Sequence, residues 1–143
     1  MYALLKQVHN INGMIVLTVL LVAVVLHLVF FLMKKPYSKL SRISALFGLI
    51  FTHLQILLGI VLYFISPVGI SNFSGEAMKD SISRLYLVEH PTGMIIAVIL
   101  ITIGYKATKK EELTDNVRYT KVLTFYGVAL AIISYLIPWF VWK

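Results

Sequence analysis

The segment 11–33, INGMIVLTVLLVAVVLHLVFFLM, is apolar along almost its whole length and contains no Asp, Glu, Lys or Arg. A helix of about 20 apolar residues is long enough to cross the hydrocarbon core of a bilayer. The segment is longer than the apolar region of a secretory signal peptide, and it lacks the small-residue cleavage site that such a peptide needs. We therefore expect it to be a retained transmembrane helix.

Three more segments have the same character, so the sequence predicts four transmembrane helices. The expected spans are 11–33, 43–65, 85–105 and 122–142. Short polar loops join them, and neither a repeat nor a soluble domain interrupts the 143 residues. The predicted fold is an all-α integral membrane protein, a single up-down bundle of four helices.

The composition agrees with this fold and excludes several classes of protein. Hydrophobic residues make up 59% of the chain and charged residues only 13%, whereas soluble proteins carry roughly 25% charged residues. An ordinary soluble enzyme is therefore excluded. Cysteine is absent, which excludes disulfides, iron–sulfur clusters, thiolate zinc sites and the covalent attachment of c-type haem. Any metal ligand must be nitrogen or oxygen.

The net charge of +7 reflects an uneven distribution of basic residues among the loops. The first and third loops hold Lys34, Lys35, Lys39, Arg42, Lys106, Lys109, Lys110, Arg118 and Lys121. The opposite side holds only Lys6, Lys79, Arg84 and Lys143. The positive-inside rule then predicts that both termini lie outside the cytoplasm. Basic residues grouped between apolar segments do not form the basic stripe of a nucleic-acid-binding domain, so the expected partner is the lipid bilayer and not nucleic acid.

The third helix carries three local signals. Asp80 followed by Ser81 fits an N-cap well before the charge-free part of the helix. Pro91 lacks an amide hydrogen and predicts a kink that leaves the Leu87 carbonyl without its usual donor. A face of mostly small residues either admits a porphyrin or packs closely on another helix. This face comprises Tyr86, His90, Gly93, Ala97 and Gly104.

Four histidines are the unusual residues of so apolar a chain. Neutral imidazole can ligate haem iron without adding charge to the membrane interior. Counted from the cytoplasmic end of each span, His27 lies about 9 Å deep, His53 about 15 Å and His90 about 22 Å, at ~1.5 Å per residue. His9 falls at or beyond the outer interface. For His27 we favour a structural role as a buried or snorkelling residue, which leaves His90, His53 and His9 as candidate ligands.

Depth alone leaves the pairing of the histidines open. Helix tilt can absorb part of the offset between His53 and either His90 or His27. His9 can reach only His90, and the first and third helices of an up-down bundle face each other diagonally, so these two residues could clamp a planar group. An unwound turn at 11–13 would bring His9 closer.

On the second helix a face of small and polar residues predicts a packing seam with interhelical hydrogen bonds. The seam comprises Gly48, Thr52, Gln55 and Gly59. His53 points about 120° away from it and therefore addresses a different neighbour.

Several of these residues form recognisable strings: FTHLQILLGIVLYFISP at 51–67, MKDS at 78–81, VEHP at 88–91 and ITIG at 101–104. Together they resemble small four-helix bacterial membrane proteins labelled cytochrome b-like, which are loosely similar to half of a haem A synthase. The T-H-x-Q and E-H-P motifs of that family match at His53 and His90, and its early histidine matches His9. The resemblance spans nearly the whole chain. It implies the four-helix fold, haem b as cofactor and a multi-pass protein of the bacterial inner (cytoplasmic) membrane.

The expected function is therefore that of a b-type haem-binding membrane protein in respiratory electron transfer. His90 is the first predicted axial ligand, with His53 or His9 as the second. Lys6 and Arg84 lie at the outer end, where either could bind a haem propionate.

Two other functions stay open. One is a non-catalytic accessory subunit of a larger membrane complex, with no cofactor of its own. The other is a metal-free proton or quinone site using His53, Gln55 and Glu89. A quinone, a larger respiratory complex and a second copy of the chain are therefore the partners left open besides the bilayer.

Overall fold

The computed structural model describes residues 1–142, and within them four long helices form one bundle. Helix α1 spans Tyr2–Leu32, α2 Lys39–Ile65, α3 Ser81–Ala107 and α4 Asp115–Leu136. Each is long and apolar enough to cross a membrane, and no strand occurs between residues 1 and 142. The predicted all-α fold with four candidate membrane spans is thus confirmed. Lys143, one of the basic residues counted on the outer side, lies outside the described residues.

The four helices are arranged in a ring. Helix α1 packs against α2 and α4, and α3 packs against the same two helices. It follows that α1 and α3 lie diagonally opposite, as do α2 and α4. The second diagonal is joined in the core, where Tyr126 of α4 donates a hydrogen bond to the Ala45 carbonyl of α2 over 2.6 Å. The Tyr126 side chain is fully buried and lies against Gly48.

Helix α1 begins at Tyr2, far ahead of the predicted start at residue 11. The predicted span began after the polar residues Lys6, Gln7, His9 and Asn10, which the structure places inside the helix. The helix is held to α2 just beyond them. Asn12 is buried, and its Nδ2 donates to the Phe51 carbonyl of α2 over 3.1 Å. His9 therefore lies within a continuous helix and not beyond the end of one. The segment 11–13 is helical, so His9 reaches the bundle without an unwound turn there.

Capping residues and a proline set the other boundaries. The Ser38 and Thr114 side chains accept hydrogen bonds from backbone N–H groups in the first turns of α2 and α4. Both helices therefore start earlier than predicted, at Lys39 and Asp115 and not at residues 43 and 122. Helix α4 ends at Leu136, because Pro138 disfavours helical geometry in the residue before it, and a 3₁₀ helix follows at Trp139–Trp142.

Helix α3 changes geometry next to His90. An α-helical turn at Ser81–Arg84 is followed by a π-helical segment at Leu85–Glu89 and by α-helix from His90 to Ala107. The predicted N-cap at Asp80 is confirmed, since Ser83 N donates to Asp80 Oδ2 over 2.8 Å, and the helix therefore starts ahead of the expected span 85–105. That hydrogen bond is the main reason that the pKa of Asp80 lies below its usual value. Single π-helical turns are common at functional sites.

The small-residue face of α3 packs on α4. A Cβ atom on Gly93 would collide with the Leu136 side chain, and one on Gly104 would lie 3.0 Å from the Phe125 Cβ and the Tyr126 ring. Ala97 between them is fully buried. Of the two expectations for this face, the structure supports close helix packing.

Candidate functional site

A cavity of about 620 Å³ lies among α1, α2, α3 and the end of α4. Ligand pockets in proteins measure roughly 300–1,000 Å³, so the volume suits a sizeable organic molecule. Most lining side chains are apolar, and the polar ones include Lys6, His9, Gln55 and His90. No acidic residue occurs among the lining residues in the described range 1–142.

Within this cavity His9 and His90 meet across the α1–α3 diagonal. Their ring centroids are 6.5 Å apart and their ring planes are inclined by 71°. Metal–imidazole bonds are about 2.0 Å long, so two imidazoles on opposite sides of one metal ion have centroids roughly 6 Å apart. The structure thus brings together two of the three predicted ligands, at a centroid separation compatible with one shared metal ion.

The His90 ring is fixed by the end of α4. Its Nδ1 lies 2.9 Å from the Leu136 carbonyl, which is free because α4 stops at this residue. A carbonyl only accepts hydrogen bonds, so Nδ1 carries the proton and Nε2 of the neutral ring is unprotonated. Metal-ligating histidines commonly donate their second N–H to a backbone carbonyl in this way.

The helix that carries His90 is held by a second bond. Pro91 frees the Leu87 carbonyl as predicted, and Tyr63 Oη of α2 donates to that oxygen over 3.1 Å. The π-helical segment before His90 is therefore tied to α2.

Replacing Tyr63 by phenylalanine should remove this tie and leave the buried Leu87 carbonyl unpaired. We expect a loss of about 1 kcal/mol in unfolding free energy, which corresponds to roughly 3 °C in the unfolding midpoint of a chain of this size. Thermal unfolding in detergent would measure it. Tyr135→Phe is the matched control, because the Tyr135 side chain is 86% exposed. Equal midpoints for the two variants would contradict the prediction.

The His9 ring is fixed by two amide side chains. Asn12 Nδ2 donates to the Phe51 carbonyl over 3.1 Å and to Gln55 Oε1 over 2.7 Å. Gln55 Nε2 then donates to the His9 carbonyl over 2.9 Å and to His9 Nε2 at 3.2 Å. Because both carbonyls only accept, neither amide can be turned around.

This arrangement determines the tautomer of His9. Its Nε2 accepts a hydrogen bond and is unprotonated, so the proton of the neutral ring is on Nδ1. Among residues 1–142 this buried Nδ1 has no hydrogen-bond partner. His9 and His90 therefore share one tautomer, with the unprotonated Nε2 that metal ligation can use. Gly59 gives the His9 ring room, since a Cβ there would lie 3.4 Å from His9 Cε1.

His53 lies away from this pair. Its Nδ1 donates to the Leu49 carbonyl of its own helix over 2.8 Å, and its Nε2 lies 3.5 Å from Thr102 Oγ1 of α3. It is not among the residues that line the cavity. The structure places His53 at the α2–α3 contact and does not bring it together with His9 or His90.

His27 lies in a hydrogen-bonded cluster near the first loop. Its Nδ1 donates to the Ala23 carbonyl over 2.7 Å, and Tyr37 Oη lies 3.0 Å from its Nε2. The Tyr37 and Tyr119 rings both pack against the imidazole. The side chain is fully buried with both nitrogens paired, which agrees with the structural role expected for it.

The remaining polar candidates belong to separate networks. Arg84 Nε donates to Glu89 Oε1 over 2.8 Å, in a pair whose side chains are about 40% exposed. Neither residue lines the cavity, whereas Lys6 does.

Thr52 bonds within its own helix, so of the two polar residues in the α2 seam only Gln55 forms the expected interhelical bonds. Of the three residues in the metal-free hypothesis, His53, Gln55 and Glu89, only Gln55 lines the cavity.

Sequence reasoning missed two groups that help to hold the histidines, Asn12 through Gln55 and the Leu136 carbonyl directly. Asn12 could have been suspected, because an amide three residues after His9 lies on the same helical face in an otherwise apolar segment. The Leu136 carbonyl has no side-chain signature, and only the position of Pro138 hinted that a free carbonyl was near.

The donor set suits haem better than a bare metal ion. No group of three or more His, Cys, Asp or Glu side chains that could hold a metal ion occurs in the described part of the chain. Haem needs only axial ligands from the protein, because its macrocycle supplies the other four.

No protein-family model, no curated protein and no solved structure matches this chain.

Proposed function

We propose that this protein binds haem b and transfers electrons in a bacterial cytoplasmic membrane, with His90 and His9 as axial ligands. The observation that carries the proposal is a pair of imidazoles on the diagonally opposite helices α1 and α3. Their ring centroids are 6.5 Å apart, and each ring has an unprotonated Nε2. Bound haem would supply a one-electron iron couple suited to respiratory electron transfer. The chain would hold the iron through two imidazoles and surround the macrocycle with apolar side chains.

The charge of the cavity supports the same ligand. Lys6 is a cation on the cavity wall, and the lining residues within 1–142 include no acid to neutralise it. An ammonium group forms strong, charge-assisted hydrogen bonds with a carboxylate. Lys6 would therefore hold a haem propionate, whereas Arg84 does not line the cavity and is already bound to Glu89.

A visible spectrum tests the proposal. The protein is purified from cells supplied with haem, or loaded with ferric haem in detergent, and is then reduced with dithionite. We expect the sharp α band of low-spin, bis-imidazole iron. If no such band forms with haem in excess, the proposed function is wrong, and the accessory-subunit interpretation gains support if the chain copurifies with other subunits.

We also propose that both termini and the loop between α2 and α3 lie outside the cytoplasm, because nine basic residues lie in the other two loops or in the helix ends next to them. The chain has no cysteine, so single-cysteine variants report topology directly. A membrane-impermeant maleimide should label Gly75→Cys in intact spheroplasts and Glu111→Cys only after permeabilisation. Both positions are exposed. Labelling in the reverse order would show the opposite orientation.

A further inference from the structure

The two histidines of the cavity differ in the state of their ligating nitrogens. His90 Nε2 accepts no hydrogen bond from any of the residues 1–142, since the only bond of this ring is from Nδ1 to Leu136. His9 Nε2, in contrast, lies 3.2 Å from the amide nitrogen of Gln55. The Nε2 of His90 is thus free, whereas the Nε2 of His9 is covered by the Gln55 amide, which we call its cap.

The cap is held from both sides. The Gln55 amide is anchored at its oxygen by Asn12 and at its nitrogen by the His9 carbonyl, over 2.7 and 2.9 Å. Turning it by 180° would place its oxygen against the His9 carbonyl oxygen and its N–H groups against those of Asn12. The anchored Gln55 amide therefore presents its nitrogen, and not its oxygen, to His9 Nε2.

From this geometry we propose that Gln55 is a positioning residue of the site, with a double role that rests on the proposed haem function. It fixes the proton of His9 on Nδ1, and it occupies Nε2 until a metal displaces it. His90, whose Nε2 is free, would then hold the metal first, and His9 would hold it only after the Gln55 amide releases its Nε2. Because the Gln55 hydrogen bond must break before His9 Nε2 can bind a metal, we expect it to weaken haem binding about fivefold.

The first half of the test uses no haem. Protein labelled with ¹⁵N-histidine is studied by NMR in detergent micelles, and the His9 signals are assigned by their loss in His9→Gln. We expect wild-type His9 to show a protonated Nδ1 and an unprotonated Nε2. In Gln55→Met, which keeps the length of the side chain but has no donor, His9 should show both tautomers.

Two controls belong to this half. His90 keeps its own bond to the Leu136 carbonyl, so its signals should not change in Gln55→Met. Thr52→Val removes a buried hydroxyl on the same face of α2 whose bond stays within the helix, and it should leave the His9 tautomer unchanged. A wild-type His9 that shows both tautomers, or an unchanged tautomer in Gln55→Met, would overturn the proposal.

The second half is a titration with ferric haem, followed by the low-spin share of the iron spectrum. Gln55→Met should reach half of its final low-spin signal at about fivefold lower haem concentration than the wild type. Equal or weaker binding would show that Gln55 does not compete for Nε2. If the wild type takes up no haem, the proposed function and the order of ligation both fail, whereas the NMR result still decides the tautomer.

Discussion

Replacing His90 by alanine is expected to abolish the low-spin haem spectrum. His90 is the only one of the two cavity histidines whose Nε2 is free of hydrogen bonds in residues 1–142, and its ring is held by the end of α4. Without it the cavity keeps one capped imidazole, which cannot complete bis-imidazole ligation. The measurement is the dithionite-reduced spectrum after loading with excess ferric haem, where we expect the α band of the low-spin form to fall to background.

His53→Ala is the matched control for this experiment. His53 is also a half-buried histidine in a long apolar helix, but it does not line the cavity. The proposal therefore predicts that His53→Ala keeps the low-spin spectrum and that His9→Ala loses it. The opposite result, with His53 required and His9 dispensable, would select the other ligand pair that the sequence left open.

The variants must be shown to fold. The His90 side chain is only half-buried, whereas the His27 ring is fully buried between two tyrosines. We therefore expect His90→Ala to elute from size exclusion at the wild-type position. Imidazole added to the solution should restore part of the low-spin spectrum, because the space left by the ring opens to the cavity. A purely structural role of His90 would not permit such rescue.

The sequence predicted the features that depend on local chemistry. Long charge-free segments identified the four helices, Asp80 marked the start of α3, and Pro91 predicted the freed Leu87 carbonyl. Each of these follows from a property of one residue or of a short run. The donor that reaches Leu87, Tyr63, lies 24 residues away and could not be inferred in the same way.

The pairing of the histidines depended on helix ends and helix contacts. Counting charge-free residues placed the start of α1 after His9, because Lys6 and the nearby amides read as a polar boundary. The structure continues the helix to Tyr2. Gln55 of α2 donates to the His9 carbonyl and ring, so His9 lies in the bundle and lines the cavity. A polar residue that is satisfied across an interface looks the same in sequence as one that faces water, so this boundary could not be predicted.

Close packing of α2 against α4 predicts a large effect at Gly48. A Cβ atom there would lie 2.9 Å from Tyr126 Cε2 and 3.0 Å from Leu20 Cδ2, and both side chains are fully buried. The Tyr126 ring cannot move aside without losing its 2.6 Å bond to the Ala45 carbonyl. Overpacking of this kind typically costs about 1–3 kcal/mol.

Gly127→Ala is the matched control, because a Cβ at this helical glycine meets nothing within 4 Å. Alanine favours a helix over glycine by about 1 kcal/mol, so Gly127→Ala should be neutral or stabilising. Gly48→Ala should lower the unfolding free energy by up to about 2 kcal/mol after the same gain. Unfolding in mixed detergent micelles would measure both. Since Gly48 lies two helical turns from Gln55 on the same face of α2, a shift of α2 there should also weaken haem uptake. Two variants of equal stability would show that α2 and α4 are not in close contact at Gly48.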